Sequence, residues 1–292
     1  MKIIKIENTL TFIFIILFTN NIFSYNSDNL CEKMIMKGEN LAAIEAGSKI
    51  KNEYDKNFCL GKAYYQENMY EKAIKAFERS EKFADLPADQ MFSILYKGTV
   101  ERDLGEISTS TKTFTRGLET AKLGNSKYLE MEHRFLFQLG QSTLADKEYD
   151  DSVDFFSKSI VTSFNDKDRA DGYKGLSNAY YGKKKIDRAI EYALKASNMY
   201  LKIVDLGEYA DLRINLSSLH LEDGAPDRSL KILSKLEKFA VDNGSQYYEA
   251  KVLLEQSLVF KSIGEDSRAN DKRLKGISIA KTIGAKDLLL IK

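Results

Sequence analysis

His, Cys and clustered carboxylates are the side chains from which a chain of 292 residues would build an active site or a metal centre, and here they are few and scattered. Its two histidines are His133 and His220. Neither has a second His or a Cys at ligand spacing, so no metal site is expected. His133 reads as an exposed residue at the start of a helix. The densest acidic patch, "EYDDSVD" at Glu148 to Asp154, lacks the ordered Asp/Asn/Gly loop of a calcium site. Its plainer reading is a helix N-terminus, where carboxylates favour the dipole. Lys183, Lys184 and Lys185 read as a solvated turn. The glycines are dispersed, not clustered after a strand, so no phosphate-cradling loop is indicated. With no nucleophile–base pair in view, the chain reads as a non-enzyme that needs no cofactor.

Composition narrows the class. Only 2 Pro and 17 Gly, with 30% charged residues, suit a helix-rich protein better than an all-β one. The N-terminus, "MKIIKIENTLTFIFIILFTNNIFS", has Lys2 and Lys5, an apolar run from Leu10 to Phe18, and Ser24 as the last residue before cleavage. That layout is a secretory signal peptide over 1–24. The apolar run falls short of the roughly 20 residues of a membrane span, so no stable membrane insertion is expected after cleavage. Removing that leader lowers Lys+Arg from 44 to 42 and Asp+Glu from 43 to 42, leaving a formally neutral chain. A nucleic-acid binder would carry a basic stripe, and none is visible.

The elements behind these residues emerge from one glycine. "LGKAYYQENMYEKAIKAF", Leu60 to Phe77, holds Gly61 inside a helical pattern, at a cost of about 1 kcal/mol against Ala. Tyr64, Tyr70, Ala73 and Phe77 follow it. This segment resembles the tetratricopeptide repeat, whose signature is W-x2-L-G-x2-Y then A-x3-F, with Asn57 in the Trp place. The same spacing returns with Gly98, Ser110 and Phe114, with Gly140, Ser152 and Phe156, with Ser177 and Ala189, with Ser217 and Ser229, and with Ser257 and Ala269. The small slot of the first helix, A, recurs at intervals of 37, 42, 37, 40 and 40 residues, as in the longer-repeat variant of the family. His220 then takes the large slot of an A helix and packs. Gly124 and Gly284 sit where a helix C-cap would want left-handed backbone.

The resemblance implies an all-α fold, an α-solenoid (right-handed superhelix) of stacked antiparallel helix pairs. The expected organisation is a short N-terminal helix pair over 25–51, six tetratricopeptide-like repeats over 52–284, and a C-terminal capping helix or start of a further unit over 285–292. Cys31, Gly38 and Ala43 fill the small positions of the short pair. In repeat register Cys31 and Cys59 lie on adjacent A helices, which allows either a disulfide that pins the short pair or two buried thiols. In this family the A helices line a concave groove, here Lys62, Tyr65, Gln66, Arg102, Phe137, Gln141, Lys174, Asn178, Tyr181, Asn215, Lys251 and Leu254. Some members grip a peptide's terminal carboxylate with Lys and Asn, then Asn, then Lys with Arg. Lys174, Asn178, Asn215 and Lys251 match that set, and Glu255 stands in the last basic place. The expectation is an exported scaffold, periplasmic or secreted, that binds a protein or peptide. The alternative is a periplasmic sensory input module of a signalling protein.

Overall fold

The computed structural model describes residues 30–291, and the leader assigned to 1–24 lies outside them. Fourteen α-helices make up the described chain, and no strand occurs among those residues. They are α1 Leu30–Met36, α2 Asn40–Ser48, α3 Glu53–Gln66, α4 Tyr70–Lys82, α5 Pro87–Asp103, α6 Ile107–Leu123, α7 Leu129–Ala145, α8 Tyr149–Val161, α9 Asp166–Gly182, α10 Ile186–Lys202, α11 Leu206–Glu222, α12 Pro226–Asp242, α13 Gln246–Ser262 and α14 Asp266–Ile283. Two compact units divide the chain, Met1–Ser93 and Ile94–Lys292, and the boundary falls inside α5. In the first, α1 packs on α2, α2 on α3 and α3 on α4, and α1 also reaches α3. In the second, every helix from α6 to α14 packs on the next, and α7 touches α9 as α11 touches α13. First helices of successive pairs therefore lie side by side, the arrangement of an α-solenoid.

Close approach within each pair has one cause. A side chain begun at Gly61, Gly98 or Gly140 would place its Cβ 2.7, 2.5 or 2.8 Å from the ring of Phe77, Phe114 or Phe156. Each of those rings is fully buried, sixteen residues after its glycine. Where the slot holds Ser177 or Ser217, the residue sixteen places on is the smaller Ala193 or Leu233, also fully buried. Volume given up on one helix is filled from the other, which keeps the interior close-packed. Twelve places after the slot stands a second small residue, Ala73, Ser110, Ser152, Ala189, Ser229 or Ala269. Hydroxyls there close the contact: Ser152 Oγ donates to the Gly140 carbonyl at 2.9 Å, Ser177 Oγ donates to the Ala189 carbonyl at 2.9 Å, and the Ser217 and Ser229 hydroxyls lie 2.7 Å apart. Phe156 also fills the space beside α9, where a Cβ on Gly175 would come within 2.5 Å of its ring.

The turn inside each pair is equally regular. Seven residues after the small slot the backbone has positive φ, including Asn68 at 57°, Lys147 at 64°, Lys184 at 58° and Gly224 at 74°. The next amide then reaches back, as Met69 N to Tyr64 O at 2.8 Å and Ala225 N to His220 O at 2.8 Å, which closes a Schellman end. Gly38, expected at a packing position, is this turn residue of the first pair, with φ of 75° and open space around it.

Three further expectations change. Gly124 ends α6 with φ of −84°, not left-handed, and the positive φ falls on Asn125. The glycine serves the Tyr128 ring instead, which a Cβ would meet at 2.0 Å. His133 is buried, not exposed: its Nδ1 lies 2.8 Å from the Ser159 carbonyl, and burial holds its pKa below the usual value. After Gly284 the chain forms a 3-10 turn, Leu288–Leu290, in place of a helix, and Leu288 packs with Ala250, Leu254 and Ala280.

Helices α1 and α2 are too short to hold together alone. Cys31 on α1 and Cys59 on α3 are joined by a disulfide, with Cα atoms 6.4 Å apart. Gly47 of α2 closes over it, where a Cβ would stand 3.2 Å from the Cys31 Sγ. Beside it the buried Lys62 ammonium donates to the buried Glu32 carboxylate.

Two outcomes follow from this packing. Gly140→Ala should cost about 1–3 kcal/mol in urea unfolding, because the Phe156 ring has no room to retreat. Replacing Cys31 and Cys59 together by Ser should remove about 3 kcal/mol from the first unit. Trypsin should then cut first at Lys49 or Lys51, as mapped by mass spectrometry.

Candidate partner-binding face

The residues expected to line one groove fall into both units. In the first, Lys62 does not face outward: it is buried in its pair with Glu32, because α1 covers that side of α3. Tyr65 and Gln66 are half-buried, and the Tyr65 ring lies 6.0 Å from that of Tyr70.

In the second unit, Arg102 is half-buried and donates to Gln138 Oε1. Phe137 is half-buried with its ring edge-on to Phe156 at 5.6 Å, and Gln141 lies half-buried near the end of the same helix. Leu254 is fully buried in the cluster with Ala280, so it belongs to the core. The remaining five sit on three A helices, α9, α11 and α13. Asn178 and Asn215 are exposed, and among the described residues no hydrogen bond engages either amide. Tyr181 is exposed and donates to Glu222 Oε1 at 2.8 Å. Lys174 donates to Glu208 at 2.6 Å and Lys251 to Asp211 at 2.8 Å. These two ion pairs run from α9 to α11 and from α13 to α11, so the three A helices are tied in sequence.

Both cations thus already have carboxylate partners from the neighbouring helix. Glu255, in the last basic place of the carboxylate-gripping pattern, is half-buried, and burial pushes its carboxyl up against the opposing pull of Lys251. The face offers amides, a phenol and cations that are already paired. Those groups match the donors and acceptors of a peptide main chain better than an isolated anion.

Beneath this surface lies a group the sequence reading missed. Tyr200 of α10, fully buried, donates its hydroxyl to Asp171 of α9. Burial raises the Asp171 carboxyl to about 6, against the pull of Lys167 and the hydrogen bond from Tyr200. Tyr248 of α13 reaches α11 with its hydroxyl 3.1 Å from the Gly207 carbonyl. One signal was available: Asp171, Asp211 and Lys251 each stand six residues before a small slot, at Ser177, Ser217 and Ser257. Charges of both signs recurring in one register position announce a ladder between helices.

Comparison with known proteins bears on the fold. No protein-family model matches the chain, and no curated protein matches it. Among solved structures, a signal-transduction ATPase (STAND protein) with a tetratricopeptide repeat sensor from Pyrococcus horikoshii is similar at 17% identity and a TM-score of 0.70. That likeness covers 88% of this chain, which spans only 42% of the length of the other. The apo form of RapI is similar at 17% identity, over 87% of this chain and 76% of that one, with a TM-score of 0.65. A Rap protein complexed with competence and sporulation factor is similar at 10% identity, over 85% and 81%, with a TM-score of 0.60. The fold is the tetratricopeptide-type α-solenoid. No helix among the described residues is long and apolar enough to cross a membrane.

Asp171 supplies a pH test. Its carboxyl moves from an ordinary 3.8 to about 6, so the fold keeps a proton that the unfolded chain has lost between those values. This group's contribution to stability is present at low pH and falls as pH rises through that window. Asp171→Asn, which still accepts from Tyr200, should match the parent near pH 4 and exceed it by about 1–3 kcal/mol at pH 7 in denaturant melts.

Proposed function

We propose that this protein is a non-enzymatic scaffold that binds a stretch of protein or peptide along the A-helix face of α9, α11 and α13. The observation that carries the reading is the pair of exposed, unengaged amides, Asn178 and Asn215, on helices held in place by the Lys174–Glu208 and Lys251–Asp211 pairs. A carboxamide offers a donor and an acceptor at once, as a peptide unit does, so two of them on a rigid spacing can hold an extended chain. Tyr181 adds a flat, partly apolar surface of low conformational entropy. The Rap protein in complex with competence and sporulation factor supports the reading, because it shares the fold.

Export is part of the proposal. The leader-like N-terminus and the Cys31–Cys59 bond both suit an oxidising compartment, periplasmic or extracellular. A second reading, a sensory input module, is favoured by the likeness to the STAND protein with its tetratricopeptide repeat sensor.

The test is cross-linked affinity capture from the native envelope with the full chain as bait. A specific partner should be recovered, and Asn178→Ala with Asn215→Ala should weaken it about tenfold, the worth of one or two hydrogen bonds. Undiminished binding by the double variant would move the partner off this face.

A further inference from the structure

One carboxylate on the A-helix face has nothing to answer it. Glu255 lies on α13 two residues before the small slot at Ser257, and Asn215 lies on α11 two residues before Ser217. They hold the same register position on A helices that touch each other. Glu255 is half-buried, yet among the described residues no hydrogen bond or ion pair reaches its side chain. By contrast, Glu208 accepts from Lys174, Asp211 from Lys251 and Glu222 from Tyr181.

The cation that bears on Glu255 is Lys251, one helical turn before it. That ammonium is already engaged: it donates to Asp211 at 2.8 Å and lies 5.9 Å from the centre of the Tyr248 ring. One turn further along, Leu258 is half-buried and offers Glu255 no donor. Burial pushes the Glu255 carboxyl up, as expected of a charge that has lost water without gaining a partner. A cation arriving from outside would relieve that penalty.

We infer that Glu255 is a specificity-determining residue of this face and receives the guanidinium of an arginine in the bound peptide. The inference rests on the peptide-binding reading above. Arginine suits the place better than lysine or a free N-terminal amine. Its guanidinium is more weakly hydrated than an ammonium, and its fork donates to both oxygens of one carboxylate. The division of labour is chemical. Asn178 and Asn215 hold main chain, which every sequence offers, while Glu255 selects one side chain. The same charge repels a peptide's terminal carboxylate, so it discriminates in both directions.

Selection of a random peptide library on the full chain tests this, followed by calorimetric titration of one selected peptide. That peptide is made with arginine, with uncharged citrulline in its place, and with an acetylated N-terminus. Selected peptides should share an arginine at one place. Citrulline should weaken binding at least about tenfold, and acetylation should change nothing. Glu255→Gln should erase the difference between arginine and citrulline. Having no internal partner to lose, this variant should not lower the thermal midpoint, which separates lost preference from lost fold. Peptides that need Asn178 and Asn215 but share no arginine would overturn this inference and leave the binding reading standing. So would a preference that survives Glu255→Gln, or a loss on acetylation in place of citrulline, which would give the carboxylate to a terminal amine. Enrichment of no peptide at all would overturn the binding reading and this inference with it.

Discussion

Exchange of volume between two helices governs this molecule. Where an A helix surrenders its side chain at Gly61, Gly98 or Gly140, the partner helix supplies a buried phenylalanine. Where the slot is Ser177 or Ser217, the partner supplies Ala193 or Leu233, and hydroxyls close the contact. Neither solution works with the other's parts: a phenylalanine opposite a serine would overpack, and an alanine opposite a glycine would leave a void. The spacing of twelve and sixteen residues stays constant while the repeat length varies between 37 and 42. All of that variation falls in the far half of the B helix and the linker, beyond the twelve- and sixteen-residue contacts. The A helices consequently keep their alignment, and a ladder of charges can run across them.

Much of the architecture was legible because this constraint is local. A small residue, a turn and a second small residue lie within twelve positions, so one pass along the sequence sees them together. Cys31 and Cys59 were placed on neighbouring helices by the same register. Elements without a register partner were harder. Gly124 looked like a left-handed cap, yet the positive φ falls on Asn125, since the Tyr128 ring needs the glycine's empty side. Leu288–Leu290 looked helical, but the segment is anchored through Leu288 and turns too tightly for an α-helix.

The proposed binding face was legible only in outline. Register put its residues on A helices, but the sequence could not say which cations would meet carboxylates forty residues away, as Lys251 meets Asp211. Lys62 was mistaken for a surface residue because its partner Glu32 comes from the short first pair, whose packing side depends on the disulfide. Asp171 was missed because burial raises its carboxyl and its hydrogen-bond partner, Tyr200, lies on another helix, neither of which its sequence neighbours reveal. Each error concerns an interaction made at long range in sequence, and polar side chains carry little trace of such partners.

The ring of Phe156 touches the empty sides of both Gly140 and Gly175, helices that belong to consecutive pairs. It acts as a shared gear tooth. A rotation of α7 would press that ring against α9, so these two first helices turn together. One buried side chain thus couples two consecutive repeats mechanically, without any bond between them.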